Sequence, residues 1–75
     1  MNSKRRDALR DITRLLQISE GVVSRVLSEE EDCMNNVPEN LQGTDRYSEM
    51  EDAVDYLSDA LACISDATAS LTAII

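Results

Sequence analysis

A heptad pattern in the C-terminal half constrains the fold more than any other feature of the sequence. Residues with mostly apolar side chains recur there at alternating spacings of three and four, which places them on one face of an α-helix. The series consists of Tyr47, Met50, Val54, Leu57, Leu61, Ile64, Thr68, Leu71 and Ile75. A further row with a period of seven consists of Ala53, Ala60, Ala67 and Ile74. Such a wide stripe exceeds one helix–helix contact and is typical of a helical bundle.

The N-terminal half predicts a long helix of its own, from Ser3 to about Asn35, capped by Asn2 or Ser3. Its apolar stripe is Leu9, Ile12, Leu16, Val23 and Val26, with Ala8, Leu15, Val22 and Leu27 beside it. Ser19 is predicted to interrupt this stripe. Gly21 weakens the middle of the helix by about 1 kcal/mol relative to alanine, so a bend is expected near this residue.

Residues 36–44 are predicted to form an elbow between the two helices. Pro38 lacks a backbone N–H and disfavours helix at the residue before it, so the first helix should end nearby. Thr44 is a good N-cap for a second helix that runs over about residues 45–74. The residues predicted to shape the elbow are Asn36, Pro38, Asn40, Leu41, Gly43, Thr44 and Tyr47.

These features predict one all-α domain, residues 1–75, folded as an antiparallel two-helix hairpin. A chain of 75 residues buries only a small core and usually needs a disulfide, a metal or a partner subunit. We therefore expect two hairpins to form a homodimeric four-helix bundle. The predicted dimer and bundle interface consists of Leu9, Ile12, Leu16, Val23, Val26, Met50, Val54, Leu57, Leu61, Ile64 and Leu71.

The elbow sequence resembles a known segment. Asn36-Val37-Pro38-Glu39-Asn40-Leu41-Gln42-Gly43-Thr44, followed by Arg46-Tyr47, is similar to the pattern N-x-P-E-N-L-Q-x-[ST]-x-[RK]-Y. That pattern occurs in small helical-hairpin proteins of Gram-positive gut bacteria, their prophages and mobile elements. The resemblance implies a hairpin and a prokaryotic or phage setting. It supplies no reaction and no catalytic residues.

The formal net charge of −8 is unevenly distributed, because residues 1–26 carry +3 and residues 27–75 carry −11. Asp45, Asp52, Asp59 and Asp66 repeat every seven residues and predict an acidic ridge on the second helix. An acidic total disfavours nucleic-acid binding. The basic residues near the N-terminus are expected to offset Asp59, Asp66 and the C-terminus of the second helix. No apolar run is long enough for a membrane span, and we expect a cytoplasmic protein.

The sequence predicts no enzyme, cofactor or metal site. Cys33 and Cys63 are too far apart in the predicted hairpin for a disulfide, and without histidine they are expected to be free thiols. Glu29 with Asp32, and Glu49 with Asp52, have the E-x-x-D spacing of helical nucleotide pyrophosphohydrolases. No set of lysine or asparagine side chains for phosphate binding surrounds them.

Three functions remain open at this point. The first is a homodimeric module for protein–protein interaction, which also offers its elbow or acidic ridge to another protein. The second is an inhibitor of phage or mobile-element origin, similar to anti-CRISPR proteins, whose acidic surface blocks a nucleic-acid-binding enzyme. The third, a metal-dependent nucleotide hydrolase, has the least support.

Overall fold

The chain folds into two long helices that pack side by side. The computed structural model describes all 75 residues, with helix α1 at Ser3–Asn35, a single 3-10 turn at Glu39–Leu41 and helix α2 at Asp45–Thr72. The molecule measures 59 × 14 × 14 Å, and its radius of gyration is 17.2 Å. A compact chain of this length has a radius of gyration of about 11 Å. The predicted all-helical hairpin is confirmed, and its shape is a rod.

Both helices begin at the predicted capping residues. The Asn2 side chain accepts a hydrogen bond from the backbone N–H of Arg5 at 2.9 Å. Thr44 Oγ1 accepts one from the N–H of Tyr47 at 3.3 Å. Each cap satisfies a backbone donor that the first turn of a helix leaves without a partner. Local sequence therefore determines where α1 and α2 start.

The two helices meet along a core seam with alternating spacings of three and four residues. Only Thr13 is buried, and the other seam residues are half-buried. In α1 the core seam consists of Leu9, Thr13, Leu16, Glu20, Val23, Leu27, Glu30 and Met34. In α2 and its C-terminal end it consists of Tyr47, Met50, Val54, Leu57, Leu61, Ile64, Thr68, Leu71 and Ile75. The series predicted for the second helix is thus its packed face.

The packed face of α1 differs from the predicted stripe. Glu20, not Ser19, lies between Leu16 and Val23 in the core seam, while Ile12 and Val26 lie beside it and are exposed. The apolar residues of α1 form two parallel series rather than one. The stripe predicted from periodicity combines residues of both series, with Leu9, Leu16 and Val23 from one and Ile12 and Val26 from the other. The half-buried series is the more polar of the two, because it includes Thr13 and Glu30.

The elbow turns without any residue at positive φ, so neither glycine nor asparagine is needed there for a left-handed backbone. Gln42 Nε2 donates to the carbonyl oxygen of Val37 at 3.4 Å, and Thr44 Oγ1 donates to that of Leu41 at 2.8 Å. The side chains of Asn36, Glu39 and Asn40 make no hydrogen bond within the hairpin. Most of the hydrogen bonds that hold the elbow are backbone bonds in and next to the 3-10 turn.

Candidate functional site

One side of the hairpin presents a long apolar surface, which we call the apolar face. Each of its residues immediately precedes a core seam residue in the sequence, so the apolar face follows the core seam over residues 8–26 and 53–74. Nearer the elbow the same positions hold Glu29, Cys33, Arg46 and Glu49, and Ser70 interrupts the series in α2. In α1 it consists of Ala8, Ile12, Leu15, Ser19, Val22 and Val26. In α2 and its C-terminal end it consists of Ala53, Tyr56, Ala60, Cys63, Ala67 and Ile74.

The antiparallel arrangement brings both halves of the apolar face to the same side of the hairpin. Two antiparallel helices are related by an approximate two-fold axis perpendicular to the plane that contains them. Rotation about that axis exchanges the helices but not the two sides of the hairpin. Residues with the same offset from the core seam in α1 and α2 therefore share a side. The apolar face is consequently continuous across the hairpin.

Several large side chains of the apolar face are exposed. Leu15 is 59% exposed, Ile12 and Val22 are each 47% exposed, and Tyr56 is 75% exposed. Single exposed apolar side chains are ordinary, but a contiguous row of them marks an interaction surface. The packing between α1 and α2 leaves this surface uncovered.

The opposite side of the hairpin is polar. Its residues immediately follow core seam residues, and in α1 they are Arg10, Arg14, Gln17, Gly21, Ser24, Ser28 and Glu31. The corresponding residues of α2 are Ser48, Glu51, Asp55, Ser58, Ala62, Ser65, Ala69 and Thr72. The two sides thus differ in chemistry, most clearly along α1, whose apolar face holds the large aliphatic side chains.

The predicted acidic ridge is on the surface. Asp45, Asp52, Asp59 and Asp66 are all exposed, and none forms an ion pair. Their position in the heptad places them on the outer surface of α2, away from the core seam. The ridge is therefore accessible to a partner as well as to solvent.

Of the basic residues near the N-terminus, only Arg10 contacts the C-terminal end of the second helix as predicted, and none pairs with Asp59 or Asp66. Arg10 Nη1 lies 2.8 Å from Asp7 Oδ1, and Arg14 Nη1 lies 3.5 Å from Asp11 Oδ1, so both pairs lie within α1. The one hydrogen bond across the hairpin joins Arg10 Nη2 to the carbonyl oxygen of Ile75 at 3.5 Å. No ion pair connects the cluster to Asp59 or Asp66, because the carboxylates project away from α1.

A shallow groove lies at the elbow. Its volume is about 440 Å³. The lining residues are Asn36, Val37, Pro38, Leu41, Thr44, Arg46, Tyr47 and Met50. Five of the predicted elbow residues line it, whereas Asn40 and Gly43 do not. Apolar side chains dominate the groove, and Arg46 provides its only charge.

The cysteines and the E-x-x-D pairs do not come together in one site. Cys33 and Cys63 are free and exposed thiols. No three carboxylate or thiol side chains converge in an arrangement that could hold a metal ion. The E-x-x-D pairs therefore remain pairs of surface carboxylates.

The structure divides the predicted interface residues into two groups. Ile12 and Val26 lie on the apolar face, whereas the other nine lie in the core seam. Leu15 and Val22 lie only beside the predicted stripe of α1, and Tyr56 belongs to no predicted series. Their spacing contains the missing signal, because residues 8, 12, 15, 19, 22 and 26 also alternate between four and three. A second complete heptad series in one helix indicates a second packing surface.

No stretch of either helix combines the length and apolarity that a membrane span requires. No protein-family model, curated protein or solved structure matches this chain.

Proposed function

We propose that the protein is a homodimeric helical interaction module in which the apolar faces of two hairpins pack together as a four-helix bundle. The single observation that carries this proposal is the exposure of a continuous apolar face on one side of the hairpin only. A module of this kind needs no catalytic residues, since its function is assembly.

The surface area of the chain supports a partner of about its own size. The accessible surface is 5517 Å² for a mass of 8.3 kDa. A globular monomer of that mass exposes about 4600 Å². The excess of roughly 900 Å² is close to the ~800 Å² that each partner buries in a standard protein–protein interface. Contact with a second hairpin would therefore bury an area equal to this excess.

The packing between the helices points in the same direction. Val54, Leu61 and Ile64 are only half-buried, and no hydrophobic residue is fully buried. Small domains without a closed core usually need a disulfide, a metal or association with another chain to be stable. A partner on the apolar face would close the core seam from one side and exclude water from these three residues.

The proposal is tested by replacing Leu15 and Val22 together with glutamine. Both residues are exposed on the apolar face, so the isolated hairpin loses little, whereas a dimer loses two apolar contacts per chain. We expect wild type to sediment as a dimer at micromolar concentration and the dissociation constant of the variant to rise at least roughly a hundredfold.

The matched control is Ile18→Gln. Ile18 is 59% exposed, as Leu15 is, but it lies outside the apolar face. This variant should dimerise like wild type, and circular dichroism should show helix in all three proteins. A wild-type chain that remains a well-folded monomer at micromolar concentration contradicts the proposal.

A second candidate function uses the acidic ridge. Asp45, Asp52, Asp59 and Asp66 are exposed and have no ion-pair partner, so their charges are available to a basic surface. A dimer would carry a formal charge of −16, twice the −8 of one chain. Such a surface could compete with nucleic acid for an enzyme, as a phage or mobile-element inhibitor does.

Replacement of Asp52, Asp59 and Asp66 with asparagine separates this candidate from the first. Asparagine keeps the side-chain size and removes three charges, so dimerisation should persist. If the ridge is an inhibitory surface, wild type retains a basic nuclease in a pull-down from bacterial lysate and the asparagine variant does not. Equal retention of the nuclease by both proteins eliminates the electrostatic basis of this function.

A further inference from the structure

The charges of the hairpin are separated along its length. The elbow half, residues 25–52, contains nine acidic and two basic residues and has a charge of −7. The open end, residues 1–14 with 60–75, contains five basic and three acidic residues and has a charge of +2. The 59 Å rod therefore has ends of opposite sign.

The stability of α1 itself does not explain this separation. A helix is stabilised by acidic residues in its first turn and basic residues in its last turn. α1 has the reverse arrangement, with Lys4, Arg5 and Arg6 at its start and an acidic run that ends at Asp32 near its C-terminus. Lys4, Arg5 and Arg6 form no ion pair within the hairpin. Within the acidic run only Glu29 has an ion-pair partner, Arg25 at 3.9 Å, and both side chains are exposed. Both groups of charges are therefore accessible to a neighbouring molecule.

Two arrangements would bury the apolar faces of two hairpins against each other. In the same-end arrangement both elbows lie at one end of the bundle, and α1 packs on α2 of the other copy. In the opposite-end arrangement the elbows lie at opposite ends, and each helix packs antiparallel on its own counterpart. Both arrangements have two-fold symmetry and cover the same residues, so packing alone does not distinguish them.

Charge distinguishes them. The same-end arrangement places two elbow halves of charge −7 side by side and two open ends of charge +2 side by side. The opposite-end arrangement places each basic open end beside the acidic elbow half of the other copy. Like charges in contact oppose association, and opposite charges favour it and fix the register.

We infer that the partner on the apolar face is a second copy of this chain in the opposite-end arrangement, with α1 antiparallel to α1 and α2 antiparallel to α2. This inference rests on the proposed homodimer and specifies its geometry. In this dimer the start of α1, including Arg5, lies beside the acidic C-terminal part of the other α1, including Glu29 and Asp32.

The distance between the two copies of Cys33, which lies near the elbow, distinguishes the two arrangements directly. Cys33 is exposed, and after Cys63→Ser it accepts a single spin label. At 1.5 Å per residue, the two labels in the opposite-end dimer are separated by about 40 to 50 Å. In the same-end dimer they are separated only by the width of the bundle, about 15 to 20 Å. Pulsed electron paramagnetic resonance resolves these distances.

A charge-reversal variant provides an independent readout. Glu29→Lys with Asp32→Lys reduces the charge of the elbow half from −7 to −3. In the opposite-end dimer these lysines lie at the same level along the bundle as the basic start of the other α1, so the dissociation constant should rise roughly tenfold. In the same-end dimer the change relieves repulsion, and the dissociation constant should fall. Asp55→Lys with Asp59→Lys makes the same change of charge in the middle of the hairpin and should not weaken the dimer.

The possible outcomes separate the geometry from the dimer itself. A dimer with a label distance of about 40 to 50 Å, weakened by Glu29→Lys with Asp32→Lys, supports the inference. A dimer with a distance near 20 Å, or one that this variant strengthens, overturns the inference and leaves the homodimer intact. A monomer by sedimentation overturns both.

Discussion

Glu20 is the residue at which the sequence pattern and the fold disagree most. It is a half-buried acid in the core seam, where the neighbouring positions, Leu16 and Val23, are apolar. Its side chain forms no ion pair and no hydrogen bond within the hairpin. Glutamate keeps its charge in water while its methylene groups cover part of the seam. The cost is a break in the apolar contact between α1 and α2.

Replacement of Glu20 with leucine should therefore stabilise the protein. A half-buried leucine side chain removes apolar surface from water, so we expect the free energy of unfolding to rise by about 1 kcal/mol. Urea denaturation followed by circular dichroism measures this change.

The matched control is Glu31→Leu, because Glu31 is exposed on the polar side of the hairpin. That substitution should leave the free energy of unfolding nearly unchanged. Equal stabilisation by both variants would show that the effect of Glu20→Leu comes from helix propensity or net charge and not from the core seam.

At the scale of the element, α1 is a helix of 33 residues with a glycine near its middle. A Cβ built on Gly21 meets no atom within 4 Å, and no glycine has a positive φ. Neither a close approach nor the backbone conformation requires glycine at this position. The predicted local weakness of the helix is therefore a property of the residue itself, caused by the conformational freedom of glycine in the unfolded chain.

Replacement of Gly21 with alanine should raise the free energy of unfolding by up to about 1 kcal/mol. Gly21 lies on the polar side of the hairpin, so the substitution leaves the apolar face unchanged. Thermal unfolding monitored by circular dichroism gives the measurement.

The reverse exchange on α2, Ala62→Gly, tests the same mechanism. Ala62 is exposed and has the same offset from the core seam as Gly21. It should lower the stability by a similar amount. A lower melting temperature for Gly21→Ala would mean that the added methyl group meets a neighbour that the isolated hairpin lacks.

The hairpin as a whole is a rod with almost no buried core. Its section is 14 × 14 Å over a length of 59 Å, and a single threonine is its only buried residue. Two helices alone cannot surround a side chain, because each side chain contacts the other helix on one side only. The remaining sides stay in contact with water. Its stability should then depend on the concentration of the chain, as it does for proteins whose folding is linked to association.

We expect the melting temperature to increase with protein concentration. A hundredfold rise in concentration should raise it by about 5 to 10 °C, since the linkage contributes about 2.7 kcal/mol to an assembly of two such chains. Differential scanning calorimetry over that range measures the shift. The Leu15→Gln, Val22→Gln variant should show no such dependence. A constant wild-type melting temperature would mean that the hairpin unfolds as a monomer.

Interactions between residues close together in the chain account for the two helices and for where they begin and end. Asn2 and Thr44 are caps that act within one turn, Pro38 excludes helix locally, and the heptad series of α2 faces the core seam as its spacing predicts. These properties depend on interactions over a few residues. They can therefore be read without knowledge of the fold.

Which series of α1 packs against α2 depends on contacts between the two helices and not on the sequence of α1 alone. Leu9, Leu16 and Val23 are half-buried, whereas Ile12 and Val26 are exposed one position away. Both series satisfy the periodicity of a helix, and the exposed series is the less polar, so hydrophobicity alone would favour the wrong one. The choice depends on the rotation of α1 about its axis, which long-range contacts with α2 determine. That rotation places the apolar residues of both helices on one side of the hairpin.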